Sequence, residues 1–224
     1  MRKLIPGILA TLAALGFGVW ALPGLPEQVA THWGFDGKPD GWSSRSTAVF
    51  LLPMIGLGIA ALLAFLPRTD PRRKNFELHA PTYWLVANAS LIVISAIHVG
   101  VIGHGLGWPI PLSRVVAIGV GALFVIIGNV MTRMRPNWFM GIRTPWTLSS
   151  DVVWRKTHRA GGYGFVAAGG LAILAGLLRP DWASWVITGS IAVVALGAVI
   201  YSYFLWREEH EAARTAATRT EAGR

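Results

Sequence analysis

NWFMGIRTPWTLSSDVVWRKTHR, from Asn137 to Arg159, lies between two long apolar runs and gathers Trp, Arg and hydroxyl residues more densely than any other part of the chain. Between Thr132 and Gly162, Arg133, Arg135, Arg143, Arg155, Lys156 and Arg159 stand against a single acid, Asp151. A connector this cationic and aromatic, flanked by apolar runs of membrane length, belongs at a water–lipid boundary, where Trp rings and snorkelling Arg side chains are both accommodated. Composition agrees. Hydrophobic residues make up 53% of the 224 positions and charged residues only 14%, against about 25% in a soluble domain. The chain has no cysteine, which excludes a disulfide framework and thiolate metal sites. The formal charge of +9 sits in short loops between apolar runs, a distribution suited to anionic headgroups and not to nucleic acid.

Working outward, six runs approach the roughly 20 helical residues needed to cross a hydrocarbon core: Leu4–Leu22, Ala48–Leu66, Tyr83–Ile102, Leu112–Met131, Tyr163–Leu178 and Trp185–Trp206. The fifth is short and Gly-rich, and its helix is expected to begin earlier, within Val152–Arg159. None alternates with period two, so helices and not a barrel are expected. The first run, behind Arg2 and Lys3, reads as an uncleaved signal-anchor because no A-x-A site follows it. With the N-terminus inside, sixteen of the twenty Lys and Arg residues fall on inner segments, and only Lys38, Arg45, Arg114 and Arg179 fall outside. The positive-inside rule then predicts cytoplasmic N- and C-termini in a multi-pass protein of the inner (plasma) membrane. The fold class is thus an all-α integral membrane bundle of six transmembrane helices, with a folded outer loop and a Trp/Arg-rich inner loop. Five segments follow: 1–66 with the outer loop at 23–47, 67–131, the inner loop 132–162, 163–206 and a cytoplasmic tail 207–224. In the tail, Glu208, Glu209 and Glu211 lie at helical spacing from Arg214, and the chain is expected to fray towards its end.

The outer loop, PGLPEQVATHWGFDGKPDGWSSRST from Pro23 to Thr47, is punctuated by Pro and Gly into turns. His32, Asp36 and Asp40 recur every four residues, and two readings are open: a mixed N/O cation site, or Asx-type turns at Asp36 and Asp40 with His32 making a structural hydrogen bond. Trp33 and Trp42 are expected on the membrane surface. In the third span Asn88 and His98, with His79 and His104 beside it, should face the bundle interior, either as a polar path or as interhelical hydrogen bonds. Gly56, Gly58, Gly119, Gly121, Gly164, Gly169 and Gly170 supply small helix faces. Asn129 is placed to bond the start of the inner loop. The spans are expected to hold no buried Asp, Glu, Lys or Arg of the kind a coupled pump needs.

Within the inner loop, Pro136, Gly141 and Pro145 favour irregular chain over Asn137–Trp146. Ser149, Ser150 and Asp151 are N-cap candidates for a helix from Val152. On that helix Trp154 and His158 share one face and Arg155 and Arg159 the next, so it can lie among headgroups or accept an acidic partner. Arg143, near Trp138 and Trp146, is the favoured charged contact, and Thr144, Thr147 and Thr157 can offer hydroxyls.

The pattern N-x-x-x-G-I-R-T-P-W-T-L-x-S-x-x-V-W-x-x-T-H-R-x-x-G, met from Asn137 to Gly162, resembles the signature of the SdpI family of bacterial immunity proteins. Pro26, His32, Gly37, Asp40 and Pro53 resemble the outer-loop pattern of a membrane domain of unknown function found in that family. The resemblance implies a non-enzymatic membrane protein for immunity and signal transduction, giving resistance to a secreted peptide toxin. It also implies a possible cytoplasmic autorepressor held at the membrane. Taken with the reading of the residues, the candidate site residues are Asn137, Arg143, Thr144, Trp146, Thr147, Trp154, Thr157, His158 and Arg159 for a partner, and Pro26, His32, Asp36, Asp40 and Trp42 in the outer loop. No cofactor, catalytic residue or direct nucleic-acid contact is expected; the partners are the bilayer, the toxin and the repressor. The alternatives are a transporter, or a metal-dependent membrane enzyme using the His/Asp loop, although no H-E-x-x-H, G-x-S-x-G or paired intramembrane Asp supports the latter.

Overall fold

The computed structural model describes residues 2–109, 111–179 and 181–222. Six helices among them are long and apolar enough to cross a membrane: α1 (Ile5–Ala21), α2 (Arg45–Phe65), α3 (Arg73–Gly105), α4 (Leu112–Val130), α6 (Asp151–Leu178) and α7 (Ala183–Ala222). The short α5 (Pro145–Ser149) lies in the connector between α4 and α6. All six expected spans are present, but three are longer than their apolar runs. Helix α3 starts ten residues before Tyr83, α6 starts at Asp151 as anticipated, and α7 continues to Ala222. Helical hydrogen bonding carries through the tail as far as Ala222, against the expectation of fraying, and the last two positions lie outside the described residues. The i,i+4 pair that forms is Arg207 with Glu211, at 2.7 Å; among the described residues Arg214 forms none.

The outer loop is a β-hairpin. Strand β1 (Gln28–Trp33) pairs antiparallel with β2 (Pro39–Ser44), in register from Gln28 opposite Ser44 to Ala30 opposite Trp42, with a bulge beyond. Gly37 takes φ 75° at the turn, a conformation glycine adopts without a Cβ clash. Ser44 then caps α2 by accepting from the Thr47 amide at 3.2 Å. Val29, 1% exposed, and Leu25 join Ala21, Val49, Ile102 and Leu112 in one apolar cluster, which fastens the hairpin to the ends of four helices.

The helices form two groups of three, α1–α2–α3 and α4–α6–α7, joined where α3 meets α4. In the first group the polar residues make internal bonds. Asn88 accepts from the Gly7 amide at 2.8 Å and donates to the Lys3 carbonyl at 2.8 Å, satisfying backbone groups that the start of α1 leaves open. His79 and His98 are buried, with no hydrogen-bond partner for either ring among the described residues. His104 meets the edge of Trp33. Asn129 does not reach the inner loop as expected; it donates to Val125 O within its own helix.

In the second group α4 and α6 approach backbone to backbone. A Cβ on Gly121 would lie 2.7 Å from Gly169 O, and one on Gly128 would lie 2.6 Å from Gly162 O. Gly162, Gly169 and Gly176 repeat every seven residues along α6, so a single face of the helix is bare. In lipid, where apolar surface gains nothing by leaving its surroundings, such close van der Waals contact is a principal source of helix association. We predict that Gly128→Val or Gly169→Val will cost about 1–3 kcal/mol or more by overpacking, read as a lower melting temperature in detergent. Gly170→Val, with nothing within 4 Å of the new Cβ, should leave it unchanged.

Candidate functional site

The connector from Met131 to Ser150 enters the bundle at the end that α4 and α6 share, and its polar side chains are spent mainly on its own backbone. Asn137, 1% exposed, is the hub. Its amide donates to the carbonyls of Arg135 at 2.8 Å and Met140 at 3.0 Å, and its oxygen accepts from the amides of Phe139 at 2.9 Å and Met140 at 2.7 Å. One side chain thus closes the irregular turn after Pro136, where no helix or sheet could satisfy those groups.

Trp154 and His158 hold the connector to α6. The buried Trp154 indole donates to Met134 O at 2.8 Å and stacks on the His158 ring with centroids 3.9 Å apart. His158 Nδ1 donates to Trp154 O at 2.8 Å, and Nε2 accepts from the Ile142 amide at 3.0 Å. Those two bonds select the neutral Nδ1–H tautomer, because the acceptor nitrogen must carry a free lone pair. Gly141, with φ 108°, passes directly over the ring, and a Cβ there would collide with Nε2. Thr144 and Thr147 form a reciprocal capping box at the start of α5: the Thr147 amide donates to Thr144 Oγ1 at 3.1 Å and the Thr144 amide to Thr147 Oγ1 at 2.9 Å. Thr147 Oγ1 also donates to Ile142 O. Thr144 reaches Ser202 of α7 at 3.2 Å, and Trp146 meets the Tyr203 ring edge-on. Ser150, one of the three cap candidates, caps α6 through the amides of Val152 and Val153.

The nine expected partner-binding residues therefore divide. Asn137, Thr144, Thr147, Trp154, Thr157 and His158 are buried, Trp146 is half-buried, and Arg143 and Arg159 are exposed. The Trp154/His158 stripe faces inward and not towards headgroups, which corrects the expectation of an aromatic surface on this helix. Arg143 donates through Nη1 to Trp138 O, leaving its other donors to solvent beside the half-exposed Trp138 ring. Arg133, Arg135, Arg155 and Lys156 are also exposed, and none of these cations forms an ion pair among the described residues.

The connection from α2 to α3 and the first turn of α3 supply three residues that the sequence reading passed over. Asp70, 5% exposed, caps Arg72 N at 2.7 Å and accepts from the Trp138 amide at 3.4 Å. Arg72 donates to Leu148 O at 3.0 Å, and Asn75 to Pro136 O at 2.9 Å. The signal was there: Asp70 is the lone acid in the run Arg68–Lys74. At the opposite end, Asp36 makes an Asx turn by accepting from Lys38 N at 3.1 Å, and His32 Nδ1 meets Asp40 Oδ1. Asp36 thus makes the expected Asx turn, whereas Asp40 lies in β2 and, among the described residues, makes no second one, meeting His32 instead. No cluster of three or more His, Asp or Glu side chains arranged to hold a metal occurs among the described residues. Pro26 precedes β1, and Trp42 is 58% exposed.

An apolar six-span helix bundle of this kind, with a hairpin at one end and a pinned cationic connector at the other, is a multi-pass membrane protein. The sequence model of the SdpI/YfhL protein family matches residues 133–203, and that of a domain of unknown function, DUF1648, matches residues 9–57. Immunity protein SdpI of Bacillus subtilis (strain 168) is 26% identical over 200 residues, which is 89% of this chain and 92% of that protein. Over these residues the chain is similar to the SdpI family. No solved structure matches it. The two matched regions fall on the two structural features described above, the hairpin between α1 and α2 and the connector leading into α6.

If Asn137 closes the connector, Asn137→Ala should cost about 2 kcal/mol or more, because buried backbone groups lose their partners. Hydrogen exchange should speed up at the amides of Phe139 and Met140 while β1 stays protected; unchanged protection there would remove Asn137 as the hub.

Proposed function

We propose that this chain is a non-enzymatic membrane immunity protein that protects its cell from a secreted peptide toxin, with the hairpin facing outward and the connector facing the cytoplasm. The carrying observation is the similarity to an immunity protein along nearly the whole length of both chains, falling on the hairpin and on the connector. In this reading Trp42 and the exposed His32 edge of the hairpin meet the peptide. The cytoplasmic connector offers Arg143 and Arg159 to an acidic surface, such as that of an autorepressor held at the membrane. Arg143 suits the task because its guanidinium is anchored at one nitrogen and free at the others, which favours bidentate pairing with a carboxylate. The buried residues of the motif serve by holding that surface in shape. Occupancy at the hairpin can alter the connector only if the peptide binds two bundle arrangements with different affinity.

Expression in a strain sensitive to the peptide secreted by the cells that carry this chain should restore growth. Arg143→Ala should abolish repressor capture with no loss of folded protein, whereas Trp154→Ala should lower the amount of folded protein itself; normal capture by Arg143→Ala would remove Arg143 from the contact. The cysteine-free chain also permits a direct topology test. A membrane-impermeant maleimide should label Lys38→Cys in intact cells and Arg143→Cys only after permeabilisation, and the reverse pattern would invert the assignment.

A further inference from the structure

The junction of α4 and α6 carries a groove in two compartments that meet at Thr132. The first, a cavity of about 630 Å³, is lined by Arg133, Arg135 and Arg155, with Asp151 as its one acid. The second, about 430 Å³, runs past Arg159 and Asn129 and then over Gly128, Gly162, Tyr163, Val166 and Ala167. On α6 the lining follows one stripe, from Asp151 through Arg155 and Arg159 to Gly162 and Val166, as the helical period requires. The polarity changes along it: four guanidiniums at one end, and then mainly glycine and apolar residues, with Asn129 and Tyr163 as the uncharged polar side chains. The glycine contact that joins the two helices leaves Gly128 and Gly162 open along the floor of this compartment.

None of the four arginines has an ion-pair partner among the described residues, and all are exposed. A single carboxylate cannot balance them, and at the lipid boundary uncompensated guanidiniums draw phosphate oxygens, which they bind in a fork geometry. A soluble anion would satisfy the polar compartment alone. The continuation into an apolar channel at the depth of the acyl chains fits an amphiphile.

We propose that this groove is a binding site for the phosphate headgroup of an anionic phospholipid, held by Arg133, Arg135 and Arg155, with an acyl chain lying along Gly128 and Gly162. Zwitterionic lipids carry their own ammonium into a compartment that is already cationic and bind more weakly. The bound lipid screens the arginines from one another and braces the start of α6 against the end of α4, so the folded protein gains stability when the lipid is present.

The test uses the purified full chain in a neutral detergent, titrated with phosphatidylglycerol, with phosphatidylcholine or with inorganic phosphate, and followed by its melting temperature and by native mass spectrometry. Phosphatidylglycerol should raise the melting temperature and be retained, and the other two should not. Each arginine removed should weaken retention about fivefold, so the double variant Arg133→Gln with Arg155→Gln should bind about twenty-fivefold more weakly. The double variant Arg2→Gln with Arg68→Gln removes the same charge at the same end of the bundle, outside the groove, and should bind as the parent does. Equal effects of the two double variants, or equal retention of phosphatidylcholine, would overturn the site. An equal shift from inorganic phosphate would overturn the lipid and leave a soluble-anion site.

Discussion

The contact between the backbones of α4 and α6 constrains everything at the cationic end of the molecule. Two helices whose carbonyls lie where the other's Cβ would be have no freedom to slide or splay. The chain between them must therefore leave and re-enter the bundle at two closely spaced points. A connector of about twenty residues under that restriction cannot be helical throughout and cannot trail into solvent. It folds against the ends of the helices that define it, and its backbone groups, out of reach of regular hydrogen bonding, need partners from side chains. The same contact leaves Gly128 and Gly162 open along the floor of the groove beside it.

Viewed as backbone accounting, the polar residues of the connector acquire specific tasks. Asn137 serves two amides and two carbonyls, Trp154 one carbonyl, His158 one carbonyl and one amide, and Thr147 one amide and one carbonyl. A motif rich in Asn, His, Thr and Trp can resemble a ligand site while being the means by which an irregular loop survives at a lipid boundary. The cations differ from this group. They make few internal bonds and stay exposed, so the surface that can meet a partner or a headgroup consists of arginines displayed on a scaffold built by the buried polar residues. A substitution in the first set acts through folding, and one in the second acts through binding.

Much of the architecture was legible from runs of apolar residues, because hydrocarbon demands a length and forbids unpaired backbone. The number of spans and the early start of α6 follow from that demand. The starts of α3 and the end of α7 were not legible in the same way, since a helix continues past the last apolar residue wherever its i→i−4 bonds persist, and charged residues such as Glu208 and Glu209 do not stop it. The hairpin was hidden because Gly and Pro dominate its segment, leaving only Val29, Thr31 and Trp33 as an alternating trace. Gly121 and Gly169 could be marked as small faces, but that they face each other, with Gly128 opposite Gly162, depends on which helices are neighbours. Depth alone misplaced Asn129, whose amide is satisfied one turn back within α4. The burial of Trp154 and His158 was also out of reach: helical spacing shows that the two share a face but not which way that face points.

The seam helix touches both ends of the molecule, as α7 also does through Trp185 against Phe35 and Ser202 against Thr144. Helix α3, 33 residues and therefore about 50 Å long, sets His104 against Trp33 of the hairpin at one end and bonds Asn75 to Pro136 of the connector at the other. Just before it, Asp70 and Arg72 grip Trp138 and Leu148. Because α3 also forms the seam between the two helix groups, a tilt or rotation of it changes the fit of the hairpin and the register of the connector together. The apolar cluster under the hairpin and the hydrogen bonds around Asp70 resist that movement differently. The first is non-directional and tolerates small shifts, whereas the second is short-ranged and breaks within an ångström or so. A displacement small enough to leave the hairpin seated is therefore large enough to release the connector from the loop that holds Trp138, and Trp138 is the residue whose carbonyl fixes Arg143. The sharper response lies at the cationic end.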